Sequence, residues 1–382
     1  MSWERQKSTV SPMPEEPPLL LWLVIGLVAL ITGVLLFVLH VNGLAGPLQQ
    51  FNLWCVAACP LVVWVMFICL RGWRYNSLCE KHQFERDEAE YAQQQWTAWA
   101  GRNIAVLHST VIFPDALTSR LFMQAPAELE LHTFQARRLS LPEGSDLFSV
   151  FLTGVNHALV RVPIDLPFSV TLLTDSSEDE DALRAAFASA WQQYIVPPRP
   201  TSVLHILHSK SFLWLVERLQ SPTADIDLIL VQQAEGQDKY SDVLASLLLT
   251  SDDVATKYQL HHGACLLRPM SLDIVKAKDE LDIFFSTQTQ ACATKSIVGD
   301  KAVWGALFAT LLDCAKAYGD IWKVEQTHWL EKYAGICGPF SPWVMAAVVS
   351  DIVNMQHVDS LMLSSEGEQS FINTVTTGNQ MK

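Results

Sequence analysis

Between Leu19 and Leu70 the chain contains no Asp, Glu, Lys or Arg. That absence excludes an ordinary water-facing surface for the stretch and marks it for hydrocarbon. Basic excess is also missing. The formal net charge of −14 over 382 residues leaves no electropositive footprint for nucleic acid. The eight cysteines include no C-x-x-C pair and no regular spacing. A disulfide framework or a zinc site of that type is therefore not expected, and reduced, buried thiols are. The G-x-x-x-x-G-K-[ST], G-x-G-x-x-G and G-x-S-x-G patterns do not occur. Nucleotide-binding and serine-hydrolase signatures are thus absent, and neither a cofactor nor a metal is expected.

What is present begins with two apolar runs, roughly 19–40 and 51–70, each close to the ~20 residues that cross a bilayer. "VNGLAGPLQQ" supplies the turn between them. A tail of residues 1–18 precedes this 19–70 hairpin, and no small-residue cleavage site argues for a removable signal peptide. Arg5 and Lys7 lie before the spans, none lies in the loop, and Arg71, Arg74, Lys81 and Arg86 follow. Positive flanks stay inside, so a two-pass arrangement is expected with both termini in the cytoplasm and the hairpin loop outside. Cys55 and Cys59 fall four apart on one helical face, where small side chains suit a helix–helix contact.

Residues 71–102 read as a polar juxtamembrane helix stopped at Gly101, and residues 103–382 as a cytoplasmic α/β domain. Strand patterns such as "NIAVLHSTVIF" and "FSVTLLTD" alternate with helical ones such as "SSEDEDALRAAFASAWQQYI" and "SFLWLVERLQ". "DIDLILVQQA" reads as a strand, "SDVLASLLLTSD" as a helix and "GACLLRPM" as a strand, followed by a long helix from Leu272. Ser177 is the expected cap of the acidic helix, whose carboxylates suit the positive end of its dipole. The proline-rich joint at 196–201 is the expected boundary between two halves, although no internal repeat is visible in the sequence.

Few side-chain constellations survive inspection. His205 and His208 spell H-x-x-H, but in a strand residues three apart face opposite sides and cannot share a metal. His261 and His262 adjoin in a loop without a thiol or carboxylate at ligand spacing. Ser209-Lys210-Ser211 imitates a Ser–Lys nucleophile pair and equally suits a helix start. Trp304, Trp322, Trp329 and Trp343 could line a pocket, with core packing the commoner role. The segment "EKYAGICGPFSPWVMAAVVSDIV" places Cys337 between glycines ahead of an apolar helix. Cys337 and His262 are accordingly the only catalytic candidates.

"DIDLILVQQAEGQDKYSDVLASLLLTSDD" and "DKAVWGALFATLLDCAKAYGDI…KYAGICGPFSPWVMAAVVSDIV" resemble the thiolase and ketoacyl-synthase family over residues 225–375. The resemblance implies a layered α-β-α-β-α domain of two similar halves, the first covering roughly 104–195. It also implies a nucleophilic cysteine in the first half, at a helix N-terminus, and histidines in the second. No cysteine lies between Cys79 and Cys265, and the family's glycine–histidine pair falls on Gly338-Pro339. A catalytically silent relative is the expected outcome. An acyl-group enzyme with a non-standard site is the alternative.

The tryptophan-bearing "RGWRYN" and "QQWTAWAGR", with "NIAVLHSTVIFPD", resemble accessory inner-membrane proteins of enterobacterial type VI secretion clusters. Trp73, Trp96, Trp99, Pro114 and Asp115 carry that likeness. It implies a membrane-tethered adaptor whose partners are the bilayer and proteins of a secretion apparatus. A homodimer stays open, and no nucleic acid is expected.

Overall fold

The structure, a computed structural model, describes residues 3, 9–126, 129, 131–140, 147–200, 203–319 and 322–378. Arg5 and Lys7, part of the orientation argument, lie outside the described residues. The chain divides into two compact units, residues 4–95 and residues 1–3 with 96–382.

In the smaller unit, α1 (Leu19–Val41) and α2 (Leu53–Ala100) are both long and apolar enough to cross a membrane. Their contact is made by small residues. A Cβ on Gly33 would lie 2.6 Å from the Ala57 carbonyl oxygen, and one on Gly26 would lie 2.7 Å from the Trp64 ring. The Trp64 indole donates to the Trp22 carbonyl at 3.0 Å. Cys55 and Cys59 are exposed and take no part, so the expected small-residue contact falls on glycines instead. The polar stretch after the second span is helical to Ala100, just before Gly101, and is continuous with that span. α2 runs unbroken for 48 residues, because the polar stretch after the apolar span is rich in helix formers and Gly72 alone cannot stop a helix. Ser11, ahead of α1, lies against α2, where Glu85 accepts from the Ser11 backbone at 2.9 Å and also from its hydroxyl.

The larger unit follows in chain order. β1 (Asn103–Ile112) leads to the short α3 (Ser119–Gln124) and to α4 (Leu147–Leu159). β2 (Phe168–Thr174), α5 (Glu180–Tyr194), β3 (Leu204–Leu207), α6 (Trp214–Gln220), β4 (Ile226–Gln233) and β5 (Val243–Ser251) complete a first half. After α7 (Asp252–Lys257) come β6 (Ala264–Leu267), β7 (Met270–Ser271), α8 (Ala277–Thr287), β8 (Ser296–Gly299) and α9 (Phe308–Ala315). β9 (Thr327–Trp329), α10 (Glu331–Ala334), α11 (Ser341–Gln356), β10 (Ser360–Glu366) and β11 (Gln369–Thr377) close the chain.

The strands hydrogen-bond in the order β3-β2-β4-β5-β1-β6-β11-β10-β8-β9, with β7 on β11. Leaving β7 aside and numbering each half's strands from one, both halves read 3-2-4-5-1 from the outer edge inward. In each, the three outer strands are parallel and the fourth, fifth and first run antiparallel. The halves join where Asn103–Val106 pairs antiparallel with Ala264–Leu267. The internal repeat, invisible as sequence, is therefore plain as topology. Its joint lies after β5, not at 196–201. Those prolines sit between α5 and β3, inside the first half, which extends well beyond residue 195.

Because strand side chains alternate, each half-sheet presents two apolar faces. One face carries Ile104, Val106, Leu247 and Leu249 from the first half and Leu266, Met362 and Phe371 from the second. All of these pack around α6 and α11. The opposite faces meet α4 and α5 in the first half and α8 and α9 in the second. These three apolar cores, separated by two half-sheets, give the α-β-α-β-α layering expected from the family resemblance. α11 occupies the middle, and twelve of its 16 residues are buried.

Two local expectations fail. "SDVLASLLLTSD" is strand β5, not a helix: all nine residues of Val243–Ser251 are buried between β4 and β1. An unbroken apolar run carries no period to tell strand from helix, and here the neighbouring strands decided. α5 is preceded by Asp179 rather than capped by Ser177. Ser177 is turned to Glu235, with its backbone N–H 3.2 Å from the carboxylate. The acidic first turn pairs with its own Arg184.

Candidate functional site

The loop between α10 and α11 holds the sequence's chief candidate. Gly335 has φ +80°, a conformation that favours glycine, and a Cβ there would lie 2.2 Å from the Gln135 carbonyl oxygen. Gly338 is needed for close approach alone, since the Gln233 side-chain amide occupies the place of its missing Cβ. Ser341 and Pro342 then open α11, proline being suited to a first helical turn that has no N–H partner to lose.

At this helix start sits Asp300, fully buried at the end of β8. One carboxylate oxygen accepts from the Lys301 backbone at 2.8 Å and the Trp304 indole at 2.5 Å. The other accepts from the Ser341 hydroxyl at 2.8 Å, the Ser365 backbone at 2.9 Å and the Ser365 hydroxyl at 2.7 Å. The carboxylate thus ties β8, α11 and β10 together at the positive end of the central helix. Nothing in "SIVGD" distinguished this aspartate from one in a surface turn, and sequence reasoning passed over it.

Cys337 belongs to the same knot. Its thiol donates to the Asp300 carbonyl oxygen at 3.2 Å. The residue as a whole is half-buried, and its sulfur is turned to the Asp300 carbonyl. Burial, reinforced by Asp300 and Glu331, pushes the thiol well above its ordinary range. A nucleophilic cysteine needs the reverse, a depressed value in a partly exposed electropositive setting. The adjoining cavity, lined by Phe113, Gln233, Leu330 and Val344, has a volume of about 20 Å³. That is space for a single water, not an acyl chain. Cys337 should therefore resist iodoacetamide in the folded protein and react only with denaturant. Fast stoichiometric labelling of Cys337 in native protein, read by peptide mass, would contradict this geometry.

His262 is not brought to Cys337. It is buried after α7, with Nδ1 2.9 Å from the Leu260 carbonyl oxygen, and it does not line the Cys337 cavity. At the start of α6, the Phe212 backbone donates to Glu366 at 3.1 Å, while the Ser211 hydroxyl accepts from the Leu213 N–H. Lys210 stacks 4.0 Å over the Trp214 ring, and burial lowers its pKa. The Ser209-Lys210-Ser211 imitation is thus spent on local structure. His205 is exposed on β3, whereas His208 is bonded through Nδ1 to the Thr174 carbonyl at 2.9 Å. Among the described residues no cluster of three or more His, Cys, Asp or Glu side chains is arranged to hold a metal. Trp304, Trp322, Trp329 and Trp343 are core. The first bonds Asp300, the second donates to the Thr294 carbonyl at 2.9 Å and the last to the Lys210 carbonyl at 2.9 Å.

No family model matches the sequence, and no curated protein does. Solved structures are similar at low identity. The ketosynthase from module 6 of the bacillaene synthase of Bacillus subtilis is 10% identical, with 73% of this chain and 71% of that one covered and a TM-score of 0.47. OleA of Xanthomonas campestris is 10% identical, at 72% and 99% coverage and a TM-score of 0.42. Human mitochondrial 3-ketoacyl-CoA thiolase is 8% identical, at 73% and 99% coverage and a TM-score of 0.41. The layered architecture rests on the strand pairing and the three cores, and these distant likenesses add no chemistry to it.

Proposed function

We propose that this protein is a non-catalytic adaptor, tethered by α1 and α2 to a bacterial inner membrane with both termini in the cytoplasm. The observation that carries the reading is the Cys337 thiol. It is buried, raised in pKa and hydrogen-bonded into the Asp300 knot, beside a cavity of about 20 Å³. The position where the family resemblance would put a working histidine holds Pro339, exposed in the turn just before α11. Such a domain offers surfaces rather than turnover. The likeness carried by Trp73, Trp96, Trp99, Pro114 and Asp115 directs the search for its partners to inner-membrane components of a type VI secretion apparatus.

Two measurements in the native host test this reading. The double variant Cys337→Ala, His262→Ala should keep the protein's contribution to secretion at the wild-type level, provided membrane extracts show equal abundance. A biotin-ligase fusion at the C-terminus should enrich secretion components over a fusion to the two spans alone. Loss of function in the folded double variant would restore an enzyme. Equal labelling by both fusions would remove the adaptor.

A further inference from the structure

A second cavity, of about 300 Å³, opens at the far end of α11 from Cys337. Four parts of the chain wall it: β1 with His108, α4 and the turn after it with His157 and Arg161, the loop before β6 with His261, and α11 with Asp351 and Asn354. Its hollowness is built in. Gly154 leaves room for His108, whose Nε2 would lie 3.1 Å from a Cβ at that position. Gly263 likewise yields its side-chain space to Asn354, whose Oδ1 would lie 2.1 Å from a Cβ there. A bulge in β1 aims the histidine. The register against β5 slips between Val106 and His108. Ile104 and Val106 face the central core, whereas His108 and Thr110 beyond the slip face Gly154 of α4.

We propose that this cavity binds a small organic anion through its phosphate or carboxylate head. His157, in the last turn of α4, and Arg161, in the turn that follows the helix, both border the cavity. Arg161 is exposed and supplies the permanent positive charge. His261 and the Asn354 amide add donors from two further elements. Ser350, fully buried in the α11 wall, has a hydroxyl with no hydrogen-bond partner among the described residues. Asp351 is the one carboxyl among the described residues that line the cavity, and burial raises its pKa, which lessens its opposition. His108 bonds Thr110 Oγ1 at 2.8 Å through Nε2, and burial keeps its ring neutral at pH 7. A volume near 300 Å³ sits at the lower end of small-molecule sites, which fits a metabolite rather than a peptide. This inference does not rest on the adaptor reading and leaves it standing if it fails.

The test uses the full chain in detergent micelles at pH 7 and constant ionic strength. Inorganic phosphate and acetate are titrated separately while the imidazole resonances are followed by NMR. Saturable shifts of the His157 and His261 signals with one of the two anions are expected, and which anion saturates at lower concentration names the head group. Arg161→Ala should weaken that binding by about tenfold or more, since it removes a charge-assisted contact. Arg161→Lys should recover part of the loss, and Lys278→Ala, on α8 in the other half, should change nothing. Linear, unsaturated shifts with both anions would overturn the proposal. So would saturation that Arg161→Ala leaves untouched in a variant with unchanged thermal unfolding.

Discussion

Replacing Asp300 by alanine destabilises the α/β domain by about 3–5 kcal/mol, the range for losing one member of a buried polar network. The carboxylate accepts five hydrogen bonds from Lys301, Trp304, Ser341 and Ser365. Alanine leaves those donors, most of them buried, without their acceptor, and each unmet buried donor costs ~1–3 kcal/mol. Asp300→Asn tests the direction of the argument. Its amide nitrogen must point at hydrogen-bond donors whichever way the group is turned, so the variant is also destabilised, though by less. Urea unfolding of full-length protein in detergent, followed by tryptophan fluorescence, reads both. A midpoint for Asp300→Ala equal to wild type would mean that the knot does not hold the layers together. Cys337→Ala removes only a weak thiol donor from the same knot and should move the midpoint far less.

The second large effect is acid sensitivity through His108. Burial, helped by nearby His157, holds its pKa down at about 4, against about 6.5 in an unfolded chain. Above pH 6.5 both states carry a neutral ring and this histidine adds no pH dependence. As pH falls from 6.5 toward 4, the unfolded state takes up a proton that the folded state refuses, and stability is lost. The difference corresponds to about 3 kcal/mol at most, at ~1.4 kcal/mol per pH unit. His108→Gln keeps a polar side chain without a titrating ring. Its urea midpoint should therefore fall less than wild type between pH 7 and pH 4.5. Parallel declines would show that His108 is hydrated enough to protonate in place.

The alternation of strands and helices, the hydrophobic spans and the lack of a first-half cysteine were legible from residues 19–70 and 103–375. Each is a local property. Charge-free length reports a helix long and apolar enough to cross a bilayer, and period-two or period-3.6 patterning reports which elements form. β5 was misread because a run buried on both faces has no period, and its neighbours β4 and β1 lie outside any local window. The repeat was missed for a related reason. The strand order 3-2-4-5-1 is preserved in both halves through pairing geometry, which tolerates almost any apolar sequence.

By itself the sequence determined that two apolar helices precede an α/β domain and that the loop at Cys337 lacks the histidine the family resemblance requires. These follow from residue identity along the chain. Only the tertiary structure decided what the loop became and where a ligand could go instead. Asp300, distant in sequence from Ser365, draws that serine, Ser341 and Cys337 into a closed knot. A one-residue slip in β1 turns His108 from the central core to the far cavity. Both outcomes depend on which atoms meet across strands and layers, and the free energy of such meetings is set by burial and hydrogen-bond completion rather than by any local pattern.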